Sequence, residues 1–205
     1  MQLTTSKALY AYWIEIKGDK QIPTRADLKP GPISALLPDL FILDWNAEQT
    51  EAHFRLAGTR VCTMMGAELA AEAFGTLWAE DERESIAHMM VDMMLTGIPL
   101  VLALSGERRD QDAVRFEMLV LPLAGEDGLP SRVVGSLVPE NTSAWQMLNP
   151  IEQFVVTDWS RIGAETEVDA VPHGIETGSA MRTLLRRFVP FQRKATLTTP
   201  PPLLP

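Results

Sequence analysis

The chain has 205 residues, 46% of them hydrophobic and 22% charged, with a formal net charge of −9. That is one to one and a half domains with enough apolar content to bury a core, which excludes fibrous and wholly disordered classes. The negative balance argues against non-specific nucleic-acid binding, which rests on phosphate neutralisation, and the lone Cys62 excludes an internal disulfide or an all-cysteine metal cage.

The spacing of Leu9, Tyr10, Trp13 and Ile14 predicts a helix over Ser6–Lys17, capped by Ser6 and stopped by Gly18. Prolines between Pro23 and Pro38 forbid a long regular element there and leave room for one helical turn at Ile33–Leu37. Leu40–Asp44 and Glu51–Leu56 predict a hairpin with Phe54 and Leu56 on one face. Thr59 caps a short helix, Arg60–Met65, which Gly66 ends, and Glu68–Ala73 predicts a second short helical piece. Asp81 and Glu84 form a capping-box pattern before the longest helix, whose stripe of Ile86, Met89, Met90 and Met93 ends at Gly97.

Strands at Leu100–Ser105, Val114–Leu123 and Arg132–Val138 follow. They are apolar on both faces, so both faces need cover. The central helices supply one cover. The N-terminal helix, or a second copy of the chain, supplies the other. The expected fold class is α+β, with a five-stranded antiparallel sheet and a long helical crossover between its second and third strands.

Charge divides the chain further. Residues 1–148 carry −9, residues 149–178 carry −5, and residues 179–205 carry five basic and no acidic side chains. The expected organisation is an N-terminal helix and Pro-rich lead-in (1–30), a domain (31–148), a following segment and linker (149–178), and a basic tail (179–205). In the tail Met181, Leu184, Leu185 and Phe188 recur at helical spacing opposite Arg182, Arg186 and Arg187, before a proline-rich end. Such a helix suits an anionic membrane, an acidic protein partner or the chain's own acidic domain. No leader is visible and no run approaches the roughly 20 apolar residues of a membrane span. The expected location is the cytoplasm, with membrane contact only through the tail.

Particular residues carry a resemblance. ISALLPDLFILD (33–44), FRLAGTRVCTMMGAEL (54–69), the Phe74/Leu77/Trp78 cluster and FEMLVLPLAG (116–125) occur in order. Tyr12-Trp13 and the Pro-x-Arg-x-Asp stretch at Pro23, Arg25 and Asp27 precede them. From about residue 8 to about residue 162 the chain resembles a bacterial family of small single-domain PAS proteins, formerly a family of unknown function. The resemblance implies a PAS fold and a non-catalytic sensory or adaptor role in signal transduction. It implies a ligand or protein partner, and homodimerisation through the N-terminal helix or sheet face. An alternative role is a localisation or scaffold protein with a filled core, attached through its basic tail.

The candidate ligand pocket gathers Phe54, Leu56, Cys62, Met65, Trp78, Met89, Met90, Met93 and Met118. Methionine is pliable and lines adaptable surfaces, although the same residues serve equally as core packing. Cys62 reads either as a redox or photoactive thiol or as a small buried hydrophobe. Its neighbours depart from the Asn-Cys-Arg-Phe-Leu-Gln pattern of flavin-binding light sensors, which argues against flavin. His88 lies about 200° from Ile86 around the helix, facing away from the stripe, which argues against haem ligation. Three scattered histidines and one cysteine give no metal cluster. Arg25, Asp27, Arg55 and Arg60 form a candidate polar recognition set, with loop fixation as the competing role.

Overall fold

The structure is a computed structural model and describes residues 1–46, 51–109, 111–141 and 149–163. The linker beyond residue 163 and the basic segment with Arg182, Leu184, Leu185, Arg186, Arg187 and Phe188 lie outside the described residues.

Helix α1 spans Thr4–Lys17 and ends where Gly18 adopts φ 51° and donates its N–H to the Ile14 carbonyl. Leu9, Tyr12 and Trp13 face inward, whereas Ile14 is 44% exposed. Ser6 is not the cap expected from the sequence. The helix begins earlier, with Leu3 in the capping position, and Ser6 is buried with its Oγ 3.3 Å from Ser136 Oγ. The extra turn is supported from outside the helix, because the Glu117 carboxylate accepts the backbone N–H groups of Gln2 and Leu3.

A 3-10 turn at Ser34–Asp39 accommodates Pro38 and leads into β1 (Leu40–Asn46), which pairs antiparallel with β2 (Glu51–Ala57). The hairpin contains a bulge. Ile42 faces Leu56 and Leu43 faces Phe54, so Arg55 is the extra residue. Phe54 and Leu56 therefore point to opposite sides, with Phe54 1% and Leu56 49% exposed. This corrects the single shared face read from strict alternation.

Helix α2 (Thr59–Met65) follows, closed by Gly66 in the left-handed region. The helical piece expected at Glu68–Ala73 does not form. That segment lies along the outer edge of β2, where Ala71 donates to the Phe54 carbonyl and Phe54 donates to the Glu72 carbonyl. Edge-strand backbone groups need partners, and satisfying them outweighs a weak local helical preference. A 3-10 turn at Phe74–Leu77 then precedes α3 (Arg83–Thr96). Its start also differs from expectation: Glu82 stands at the cap, no side chain caps it, and the Asp81/Glu84 box is not made. Gly97 closes α3 with φ 70° and a hydrogen bond to the Met93 carbonyl.

Strands β3 (Leu100–Arg108), β4 (Gln111–Ala124), β5 (Pro130–Pro139) and β6 (Gln153–Arg161) complete one antiparallel sheet in the order β2-β1-β5-β4-β3-β6. The sheet has six strands where the sequence predicts five. β6 lies in the stretch read as a following segment and linker, and pairs with β3 from Leu100↔Arg161 to Glu107↔Gln153.

Alternation, interrupted at the register shifts, divides the sheet residues between two cores. Phe41, Leu43, Leu102, Leu104, Phe116, Met118 and Phe154 face α3, α2 and the turns. Leu40, Val101, Leu119, Leu121, Leu123 and Val134 face α1. The two-faced apolar sheet is thus covered on one side by the crossover and on the other by the N-terminal helix. Among the described residues no helix is long and apolar enough to cross a membrane.

Candidate functional site

The space between α3 and the sheet is where the candidate pocket residues converge. Phe54, Trp78, Met90, Met93 and Met118 are buried together, with Met65 and Met89 packed against them from partly exposed positions. Leu56 is not part of this group, because the bulge turns it to solvent on the other side. Cys62 is half-buried at the margin, with Sγ 3.9 Å from the Ala57 carbonyl and 3.8 Å from Glu68 Oε2.

An aromatic series runs through this core. Ring centroids are separated by 5.9 Å from Phe41 to Phe54, 5.8 Å to Phe74, 5.4 Å to Trp78, 6.1 Å to Phe154 and 5.2 Å to Phe116. Tilted and edge-on pairs at these distances are individually favourable by about 0.5–1.5 kcal/mol beyond burial. Phe41, Phe116 and Phe154 were not among the pocket residues expected from sequence. Their signal was present as large apolar residues at every second strand position, but alternation alone could not say which face they shared.

Among the described residues, the void between α3 and the sheet is small. It measures about 10 Å³ and is lined by Phe74, Trp78, Ile86, Met89, Met90, Leu100, Leu102, Met118 and Val120. That is about the room one water needs, and a stable buried water also needs two to four polar partners. Trp78 Nε1 is buried without a hydrogen-bond partner. These residues do not fit a flavin or a haem. Phe74, Trp78, Met90 and Met118 fill the volume a ring system would need, the walls are apolar, and His88 stands exposed on the far side of α3.

The four polar candidates do not converge. Asp27 accepts hydrogen bonds from Lys20 Nζ at 2.7 Å, Thr24 N at 2.8 Å and Thr24 Oγ1 at 2.7 Å. The Lys20 contact first, then Thr24, holds its carboxyl at about 2, below the ordinary 3.8. Arg25 reaches the Leu28 carbonyl at 3.4 Å, and its backbone N–H pairs with Ala124. These contacts fix the loop along the end of β4. Arg55 lies 3.3 Å from Asp44, which also accepts from Arg132 at 2.8 Å. Arg60 lies 2.6 Å from Asp39, a carboxylate only 5% exposed. Burial raises the Asp39 pKa, and Arg60 opposes that rise.

One buried charge lies outside the candidate set. Glu117 is 7% exposed on β4 and faces α1. Its signal was plain, since it is the one ionisable side chain in the run Phe116–Ala124.

Residues 1–138 match the sequence model of a family described as PAS domain. Among solved structures, the chain is similar to a LOV protein of Rhodobacter sphaeroides at 19% identity, covering 53% of this chain and 62% of that one, with a TM-score of 0.40. It is similar to the N-terminal domain of a diguanylate cyclase with PAS/PAC sensor from Marinobacter aquaeolei at 12% identity, covering 49% and 94%, with a TM-score of 0.36. It is also similar to the light-state blue-light photoreceptor Aureochrome1 LOV at 14% identity, covering 55% and 88%, with a TM-score of 0.40. The chain spans 62% of the length of the Rhodobacter protein. No curated protein matches.

Proposed function

Because the chain belongs to the PAS domain family, we propose that it is a non-catalytic sensory or adaptor module, which transmits a signal by changing the protein it contacts. The supporting observation is the filled core. With a void of about 10 Å³ between α3 and the sheet, the module works without a large resident cofactor. Its input is then a partner bound at the surface, and its output a change in how a helix sits on the sheet. Helix α1 suits that role, since among the described α-helices it is the one that packs on its face of the sheet, beside Ile22, Leu28 and Ile33 of the lead-in. A second copy of the chain would meet α1 at Ile14, which is 44% exposed. The basic segment around Arg182, Arg186 and Arg187 supplies a second attachment, to an acidic partner or an anionic membrane, and the protein acts in the cytoplasm.

Native mass spectrometry of the purified full chain tests the filled core. The expected spectrum contains the polypeptide without a small molecule, as monomer or dimer. A stoichiometric co-purifying metabolite, flavin or haem would overturn it. Removing residues 179–205 is expected to abolish attachment in cells while leaving the fold unchanged, and unaltered localisation would refute the role of the tail.

A second reading has its own observation. Trp78 Nε1 is a buried donor without a partner, in a side chain that lines the void. A small, mostly apolar molecule with one acceptor, admitted by rearrangement of Met89 and Met90, would satisfy it. Such a ligand would appear in the same mass spectrum.

A further inference from the structure

We propose that Glu117 latches α1 to the sheet, making α1 a strap that releases as a unit while the sheet stays folded. This rests on the reading of α1 as the element that moves.

Glu117 shares its face of β4 with Leu119, Leu121 and Leu123, all fully buried. An ionised carboxylate in such surroundings is costly unless it is paired. Oε2 accepts the Gln2 N–H at 2.5 Å and Oε1 accepts the Leu3 N–H at 3.1 Å. The Met1 nitrogen stands 3.9 Å from Oε2. Arg115, two residues earlier on the same face, is engaged elsewhere, with its Nε 3.0 Å from Glu140. The hydrogen bonds to Glu117 therefore come from Gln2 and from the cap residue Leu3, the two residues that lead into α1 at Thr4.

The dependence runs in both directions. The first N–H groups of a helix have no partners within it, and its N-terminus is the positive end of the backbone dipole. No side chain within α1 caps that end. Glu117 supplies an acceptor for the cap N–H of Leu3 and for the Gln2 N–H before it, from a strand more than a hundred residues away, and its negative charge faces the positive end of the helix, so lifting α1 strips both sides at once. Among the described residues the other polar ties of α1 are neutral and few: Ser6 to Ser136, Trp13 Nε1 to the Pro122 carbonyl at 3.0 Å, and the Tyr12 hydroxyl, which donates to the Lys29 carbonyl at 3.1 Å and accepts the Lys29 N–H at 2.8 Å. On the sheet side, β4 bonds laterally to β3 and β5, and none of those ladder bonds passes through α1.

Hydrogen–deuterium exchange of the full chain, followed by mass spectrometry, tests the latch in wild type, Glu117→Gln and Glu117→Leu. Glutamine keeps the shape, loses the charge and points an NH2 at one of two donors. A hydrogen bond to a charged group corresponds to roughly a ten- to hundredfold change in the opening equilibrium. Amides of residues 4–17 are expected to exchange faster by that factor in both variants, with β4 and β5 unchanged. Unchanged α1 exchange in Glu117→Gln overturns the proposal. So does a parallel rise in helix and sheet, which reports global unfolding. Slower α1 exchange in Glu117→Leu also overturns it, because that is what relief of an unwanted buried charge would produce. If the leucine variant does not fold, the glutamine variant decides. The readout involves no partner, so its failure is separate from failure of the sensory role.

Discussion

Met90→Ala tests whether the core is filled by the residues that line its void. Met90 is 4% exposed and stands on α3 over Leu100, Leu102, Met118 and Val120. Cutting it back to Cβ loses apolar burial and leaves a cavity, a combination that costs about 2–5 kcal/mol at core positions. The neighbours decide where in that range it falls. Met89 and Met118 are flexible and lean into the gap, whereas Phe74 and Trp78 are locked in the aromatic series, so the expected loss is about 2–3 kcal/mol. For a unit of this size that lowers the melting temperature by roughly 5–10 °C. The enlarged cavity joins the existing void of about 10 Å³ and is apolar on every side. It should stay dry and accept benzene or xenon. Benzene at a hundred times its Kd then restores about 2.7 kcal/mol to the variant and nothing to wild type. Chemical denaturation with and without benzene measures both. A loss under about 1 kcal/mol, far below the expected range, would refute the claim that Met90 fills this space. Equal stabilisation of wild type by benzene would refute the filled core.

Phe54→Ala should cost about 3–5 kcal/mol and Leu56→Ser less than about 0.5 kcal/mol, because the bulge at Arg55 places them on opposite sides; similar losses by urea denaturation would remove the bulge. Arg60→Ala should cost about 1–3 kcal/mol by leaving Asp39 buried and unpaired, while Asp39→Asn should be neutral or stabilising at pH 7. The sign follows from linkage: the folded pKa of Asp39 lies above its ordinary 3.8, so the native state holds that proton more tightly and stability falls as pH rises through that window. A marked loss in Asp39→Asn at pH 7 would contradict it. Asp27 behaves oppositely. Its contribution is present above 3.8 and is lost as pH falls through about 2, and in Lys20→Ala an NMR titration should find the carboxyl moved up toward 3.8; an unmoved midpoint would show that Lys20 is not the main cause.

The order of elements was legible because period and punctuation agree with the fold. Gly18, Gly66 and Gly97 stop helices where a reading of the sequence places the stops. The three long strands announce themselves by runs of Leu and Val. What was not legible depended on partners distant in sequence. Ser6 looks like a cap, but the helix starts at Thr4 and Glu117 on β4 holds the N–H groups of Gln2 and Leu3 just ahead of it. Residues Glu68–Ala73 look helical until the β2 edge claims their backbone. One extra residue at Arg55 reverses every later side-chain direction, and nothing in GluAlaHisPheArgLeu marks it. β6 shows only Phe154, Val155, Val156 and Trp159 among polar residues, because from Thr157 onward this edge strand is exposed on both faces. The methionines and Trp78 read from the sequence pack into one core, whereas Leu56 lies outside it, for the same reason that the bulge was invisible.

The strand order has a consequence for how the chain is made. α1 leaves the ribosome before the strands, yet its inward residues Leu9, Tyr12 and Trp13 rest on a surface built largely from β4 and β5. β1 likewise waits for β5, its neighbour in the sheet but roughly ninety residues later in synthesis, as in Phe41↔Gly135. Contacts this far apart slow folding, and early segments stay exposed until the late ones arrive. The helix that closes one face of the finished molecule therefore spends most of translation with nothing to close. A nascent chain stalled before residue 111, where β4 begins, should present that apolar helix to chaperones, and one released after residue 139 should not.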